Sequence, residues 1–303
     1  MADAPDEILE LARARSAARS VRDWAEADVL KDRIESAGWK VVDRGTEFAL
    51  QPAHPPDLPE GDRVRYGWSG SVPSRLPEAP THGVTVVMPV VDATDRPSAT
   101  LDAIRAHGRA DLEVVVVADG PVSTDLAADE VVLSAGLGHA GAINAGVKRA
   151  GGSIVVLVDP AVELTADAIT PLVEALGDST VAAAGAFGLA STDLRRFTPA
   201  PAGEAVALED ALLAFRRVDF AERGPIDEHF RLPGSAGTWW SLVLRDEGED
   251  RRPRRALALD LPVVRPSAER SLTAEEARLA KRDFYRVLDR FGTRRDLLLP
   301  SPG

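Results

Sequence analysis

The sequence has no cysteine. That excludes disulfides and thiolate metal sites, and it accords with a reducing compartment. Basic residues are in deficit: 36 Lys and Arg stand against 48 Asp and Glu, a formal net charge of −12. Such a balance speaks against general nucleic-acid binding, which needs a basic face, and against electrostatic adhesion to anionic lipid. No apolar run approaches the roughly 18 residues of a membrane-spanning helix, so no transmembrane segment is expected. The opening residues carry neither the basic nor the apolar region of a secretion signal, and a cytoplasmic location is expected. What the chain does have is apolar material. Hydrophobic residues make up 45% of its 303 positions, enough for one large core or two smaller ones.

The chain is organised around residues 153–163. Ile154 to Val158 run apolar without interruption and end at Asp159. A short, β-branched run of this kind reads as a strand buried on both faces, as in a parallel sheet. Open α/β sheets bind ligands outside the carboxyl ends of their strands, which makes Asp159 the first candidate for ligand contact. The plainer alternative is that Asp159 only turns the chain before Pro160.

Further strands are expected at Val84–Met88, Leu112–Val117, Glu130–Leu133 and Val181–Gly185. Helices are expected near 97–107 and 140–150 and from about Thr165, where Ile169, Leu172, Val173 and Leu176 share one face. This alternation implies an α/β fold with a mostly parallel sheet flanked by helices. Residues 51–82 hold seven prolines and read as an extended linker. In it, Tyr66 and Trp68 are expected to pack on a neighbouring surface. Before the linker, two helices within 5–37 and two short strands, Trp39–Val42 and Thr46–Leu50, form a small module over residues 1–50. Its second helix carries Trp24, Ala27, Leu30 and Ile34 at helical spacing. The main domain is expected over 83–266. An amphipathic helix at Ala274–Phe291, with Leu279, Phe284, Val287, Leu288 and Phe291 as its stripe, belongs to the C-terminal segment 267–303.

Gly136-Leu-Gly-His-Ala-Gly141 matches G-x-G-x-x-G, with Asp159 downstream. On that pattern alone a dinucleotide could lie on the helix N-terminus, with Asp159 on a ribose hydroxyl. The motif follows an earlier βα unit instead of opening the domain, so this remains a minor alternative.

Two resemblances add to these readings. AARSVRDWAEADVLKDRIESAGWKVVD, residues 17–43, resembles the C-terminal end of cysteinyl-tRNA synthetases through Trp24-Ala25-x-Ala27-Asp28, Lys31-Asp32 and the Gly38 exit. It implies a helical-hairpin module whose partner is RNA, a protein or the chain's own second domain, with the acidic balance speaking against RNA, and no aminoacylation, because the catalytic domain and zinc ligands have no counterpart. From 84 to about 265 the chain resembles family 2 glycosyltransferases of the GT-A fold. The resemblance rests on VTVVMPVVD (84–92), LEVVVVADG (112–120), GHAGAINAGVKRAGGSIVVLVD (138–159) and ALLAFRRVDFAERGPIDEHF (211–230).

The second resemblance implies a nucleoside diphosphate sugar as donor, a glycan or lipid-linked acceptor, and a divalent cation, Mn or Mg, to screen the leaving diphosphate. It puts Pro89, Val90, Asp92 and Asp119 around the nucleoside, Asn144 near the diphosphate and Asp159 on the metal. Where the family has Asp-x-Asp, this chain has Asp159-Pro160-Ala161, and Glu163 is the substitute to consider. Where the family has a Glu-Asp pair that supplies the base, alignment on Arg245 and Gly248 places Ala236-Gly237. Asp227 and Glu228 are the nearest alternative carboxylates. Trp239 and Trp240 are expected either to face an acceptor sugar or to join the core. These departures leave two readings open: a glycosyltransferase, or a catalytically inactive relative acting as a binding or scaffold protein.

Overall fold

The computed structural model of the chain describes residues 4–44, 47–91, 97–120, 126–265 and 273–299. By internal contacts the chain divides into two compact units, Met1–Trp68 and Ser69–Gly303. The division falls inside the stretch expected as a linker.

In the first unit, α1 (Asp6–Ser20) and α2 (Trp24–Ser36) precede an antiparallel hairpin of β1 (Trp39–Arg44) and β2 (Glu47–Pro52). The Asp23 side chain accepts from the Glu26 amide at 3.1 Å and caps α2. Gly38, at φ 81°, ends the helix in the left-handed region. Ile8, Ala12 and Ile34 form the core, with Trp39, Val41 and Phe48 packed on it. Arg15, buried, grips the Asp43 carboxylate at 2.9 and 3.1 Å. Trp24 departs from its expected stripe. Ala27, Leu30 and Ile34 are buried, but Trp24 is 57% exposed, beneath the Arg19 guanidinium. The proline-rich stretch is not wholly extended either. It contains a hairpin of β3 (Leu58–Glu60) and β4 (Arg63–Tyr66), turned by Gly61 at φ 65°. Trp68 stacks on His54 at 4.7 Å.

The second unit runs β5 (His82–Val90), α3 (Pro97–His107), β6 (Leu112–Asp119), β7 (Glu130–Ser134), α4 (Gly138–Arg149) and β8 (Gly152–Val158). There follow β9 (Glu163–Leu164), α5 (Ile169–Ala175), β10 (Val181–Gly185), β11 (Gly188–Ala190), β12 (Thr198–Ala200), β13 (Gly203–Ala205), β14 (Ala207–Leu208) and β15 (Leu212–Arg216). The chain continues through α6 (Arg217–Arg223), α7 (Ser235–Arg245), β16 (Arg255–Ala258), β17 (Val263–Val264) and α8 (Ala274–Phe291). In the main sheet the order is β13-β16-β10-β15-β8-β5-β6-β7. The segment β8-β5-β6-β7 is parallel, and β15 runs antiparallel beside β8.

Small residues set how closely α4 lies on the sheet. A Cβ on Gly146 would come within 2.4 Å of Val87 and 3.0 Å of Val117, so the Ala- and Gly-rich sequence of α4 serves helix–sheet contact. Helix α8 begins with a reciprocal capping box between Thr273 and Glu276. Its buried face differs from the apolar stripe expected of it. Val287 and Phe291 are buried, Asp283 is buried beside them, and Phe284 is 40% exposed. Among the described residues no helix is long and apolar enough to cross a membrane.

Candidate active site

The sheet order brings the carboxyl ends of β5, β6 and β8 to one edge, with the start of β15 opposite the end of β8. Pro89 and Val90, the last residues of β5, are buried opposite Val117 and Ala118. Asp92 lies outside the described residues.

Asp119 ends β6 and turns towards α4. Its carboxylate accepts from Ser134 Oγ (3.0 Å), the Leu137 amide (3.0 Å) and the Gly138 amide (2.9 Å). A negative group here suits the positive end of the helix macrodipole. The next two amides of the helix are also engaged, His139 with the Arg231 carbonyl and Ala140 with the Phe230 carbonyl. The glycine-rich motif therefore does not offer a pyrophosphate its amides, because Asp119 and the 230–231 backbone already hold them. That removes the basis of the dinucleotide reading. The motif's glycines instead serve the turn, with Gly136 at φ 74° and Gly138 at φ 72°.

Asn144 is fully buried and cross-links α4 to the loop before α7. It donates to the Ile226 carbonyl (2.8 Å) and to Glu228 Oε1 (3.0 Å), and its own oxygen accepts from the Ile226 amide (3.0 Å). Both of its N–H donations and one acceptance are made within the fold, which is the cross-linking alternative to a place near a diphosphate. Glu228 also accepts from Ser69 Oγ. Asp227 is 2.6 Å from the His229 ring nitrogen on one oxygen and 2.9 Å from Arg286 on the other. Burial pushes its carboxyl up, but the His229 amide and ring and the Arg286 charge outweigh burial and hold it below the ordinary range. Asp227 and Glu228 thus hold the loop in place.

Asp159 sits at the carboxyl end of β8. Its amide donates to the Ala211 carbonyl at 2.8 Å, and its Oδ1 accepts from the Ala161 amide at 2.8 Å. Among the described residues the second oxygen, Oδ2, takes no hydrogen bond. The turn-forming reading and the ligand reading therefore coexist in one side chain. Glu163 is exposed on β9, paired with Val264. Among the described residues no three His, Asp or Glu side chains come together as a metal cluster.

Directly before Ala211 lies a group that the sequence reading passed over. Asp210 is buried, 2.9 Å from His139 Nε2, and accepts from the amides of Gly234 (3.0 Å) and Gly237 (3.1 Å). Burial alone would raise its carboxyl. The His139 ring and the Gly234 amide more than offset that, and it lies below the usual carboxylate range. The pair ties the N-terminus of α4 to that of α7. Its sequence signal was the acid pair Glu209-Asp210 directly before the apolar run of β15.

Trp239 and Trp240 on α7 are buried. Trp240 meets Phe215 and Phe220 edge-on, each at 5.5 Å, and lies 6.4 Å from Trp239. Trp239 packs on Phe230 at 5.8 Å with the Arg290 guanidinium 4.9 Å over its ring. Neither indole presents an open face to a sugar, so both belong to the core alternative. At the Ala236-Gly237 position, a Cβ on Gly237 would lie 2.2 Å from the Asp210 amide nitrogen and 2.8 Å from the Glu209 carbonyl carbon. No acidic side chain fits there. Beside it, between the start of α7 and α8, is a cavity of about 340 Å³ whose lining includes Glu209, Ser235, Thr238, Phe197, Phe284 and Val287.

Comparison with known proteins bears on what this arrangement does. The model of glycosyl transferase family 2 matches residues 85–237, half of the chain. By structure, the protein resembles GalNAc-T7 solved with UDP, GalNAc and Mn²⁺ at a TM-score of 0.54 and 14% identity, covering 69% of this chain and 48% of that one. It also resembles the mannosyltransferase PcManGT from Pyrobaculum calidifontis, in complex with GDP-Man and Mn²⁺, at a TM-score of 0.50 and 21% identity, covering 77% and 72%. These likenesses bear on the fold. In the N-terminal region, 52 residues are 42% identical to a cysteine–tRNA ligase of Opitutus terrae. That match covers 17% of this chain, and the chain spans only 11% of the ligase.

Proposed function

Since this chain belongs to glycosyl transferase family 2, we propose that its second unit binds a nucleoside diphosphate sugar at the carboxyl ends of β5, β6 and β8 and transfers the sugar to a hydroxyl. The observation that carries this reading is Asp159. It is the carboxylate at the end of β8 that keeps one oxygen, Oδ2, without a hydrogen bond among the described residues. A divalent cation takes oxygen ligands and completes its shell with substrate phosphates and water when the protein offers only one or two carboxylates. Asp159 fits that mode and would be the protein's ligand. When bound, such an ion neutralises charge on the leaving diphosphate. Pro89 and Val90 would wall the nucleoside pocket, and Asp119 would shape it by holding the 134–138 turn.

A second reading has its own support. Asp119 and Asn144 make three hydrogen bonds each inside the fold, and position 237 has no room for an acid. These favour a domain that retains binding and has lost transfer, serving as a scaffold. The N-terminal unit is in either case a module for a protein partner. A cytoplasmic site of action is part of the same proposal.

Calorimetric titration with UDP, GDP, dTDP and their sugars, with and without Mn²⁺, tests the binding. Metal-dependent binding that Asp159→Ala abolishes is the expected result. No binding to any of these nucleotides would defeat the proposal.

A further inference from the structure

The resemblance leaves the acceptor without a base, and the fold suggests where one resides. The backbone of residues 209–210 fills the space beside Gly237, the position at which alignment places the acidic pair. The side chain that this backbone carries into the adjoining cavity is Glu209. Its partner Asp210 points the other way, into the buried contact with His139. The two acids of one dipeptide therefore have opposite fates. One is fully engaged in the core; the other lines a cavity, with its side chain 26% exposed.

Several observations make this cavity a site. It is of the size that holds small ligands, about 340 Å³. Glu209 is the one carboxylate among its lining residues, and Ser235 and Thr238 also line it. The remaining wall is apolar, with Phe197, Phe284 and Val287, the last two from α8. Glu209 is fixed at both ends. Its amide donates to the Phe187 carbonyl at 2.9 Å, and its carboxylate pairs with Arg265, whose guanidinium lies over the Phe187 ring at 5.6 Å. Only Asp210 separates Glu209 from Ala211, the residue hydrogen-bonded to Asp159. Glu209 thus lies two residues along the chain from the backbone that pairs with the strand end where the donor reading places the diphosphate.

We infer that Glu209 is the acceptor-side base and that this cavity, roofed by α8, receives an acceptor with a hydroxyl at one end and an apolar body at the other. The inference rests on the donor reading above. In the step, the acceptor oxygen forms a bond to the anomeric carbon while the bond from that carbon to the diphosphate oxygen breaks. The diphosphate leaves with the electron pair, and the hydroxyl proton passes to the Glu209 carboxylate. A positioned base contributes about 10²–10⁴-fold to such a step.

The test uses the full chain and follows release of nucleoside diphosphate from UDP-, GDP- and dTDP-sugars with Mn²⁺. It is run in water alone and with phenyl and octyl glycosides as acceptors, alongside calorimetric donor binding. The expected result is that Glu209→Gln lowers release at least 100-fold and leaves donor affinity within about twofold. Phe284→Ala, which removes an apolar wall and leaves the carboxylate, should weaken the response to octyl and phenyl glycosides more than it weakens release into water. Unchanged release by Glu209→Gln would overturn the assignment and leave the donor reading standing. Binding without release by the wild type would also overturn it, in favour of the scaffold reading. Absence of any donor binding would remove the donor reading and this inference together.

Discussion

Two regions of the second unit treat buried polar groups in opposite ways. At the N-terminus of α4, each of the polar side chains described above has partners: Asp119 with three donors, Asn144 with three bonds, Asp210 with His139 and two amides. On α7 and α8 the pattern reverses. Among the described residues, the buried indole N–H of Trp240 on α7 has no acceptor, and both oxygens of buried Asp283 on α8 lack a donor. A satisfied buried network holds one geometry, whereas an unsatisfied group costs free energy wherever it sits. The first region is therefore built to fix loops at the strand ends. The second carries α8, which roofs the cavity, on a contact that is weaker than its apolar residues suggest.

Asp210→Ala should have the largest effect. It leaves His139 Nε2 and the amides of Gly234 and Gly237 without their acceptor in a fully buried place. Removing one partner of such a pair typically costs about 3–5 kcal/mol. Urea unfolding of wild type and variant measures it. A loss below about 1 kcal/mol would erase the contrast, because the engaged group would then count no more than a surface one.

Asp283→Asn should act in the opposite direction, and only above mid-acid pH. Burial raises the Asp283 carboxyl to about 6, and the nearby Asp227 charge adds to that, while Arg286 and His229 oppose it. The folded pKa lies above the ordinary 3.8, so the folded state favours the protonated acid. The penalty is absent below about pH 4, grows between 4 and 6, and is complete above 6. The variant should therefore gain roughly 1–2 kcal/mol at pH 7.5 and nothing at pH 4, read as thermal midpoints at the two values. An equal gain at both would show that charge burial is not the cost.

The contrast also explains what was legible in the sequence. Periodicity gave β5, α3, β6, α4, β8, β10 and α8 within a residue or two at most ends, because long apolar patterns and caps are local. The short ladders β11–β12–β14 and β9–β17 went unseen, since strands of two or three residues are chosen by their partners. At the site, the positions were legible and the roles were not. Asp119, Asp159 and Asp210 all stand where an acid meets the end of an apolar run. That pattern is the same for a ligand, a turn and a helix cap. Only geometry separates an acid with three donors from one with a free oxygen. Asp283 was hidden for a different reason. It lies four residues before Val287 and eight before Phe291, so it shares their face, but a charged residue is read by default as the solvent side.

Trp240→Phe should have the smallest effect, and its sign sharpens the comparison. The substitution deletes the unpaired N–H, a gain of about 1–3 kcal/mol if that group is fully desolvated. It also deletes one ring of a residue packed against Phe215, Phe220 and Trp239, a loss of similar size through cavity formation. The two offset, and the net change in urea unfolding should lie within about 1 kcal/mol of zero. Trp240→Ala, which keeps the gain but enlarges the void, should lose about 3–5 kcal/mol. Because the ring has no open face, neither variant should alter donor binding when measured on protein that remains folded. A large loss on Trp240→Phe would mean that the indole N–H has an acceptor after all, and the packing of α7 on β15 and α6 would then belong with the satisfied region at α4.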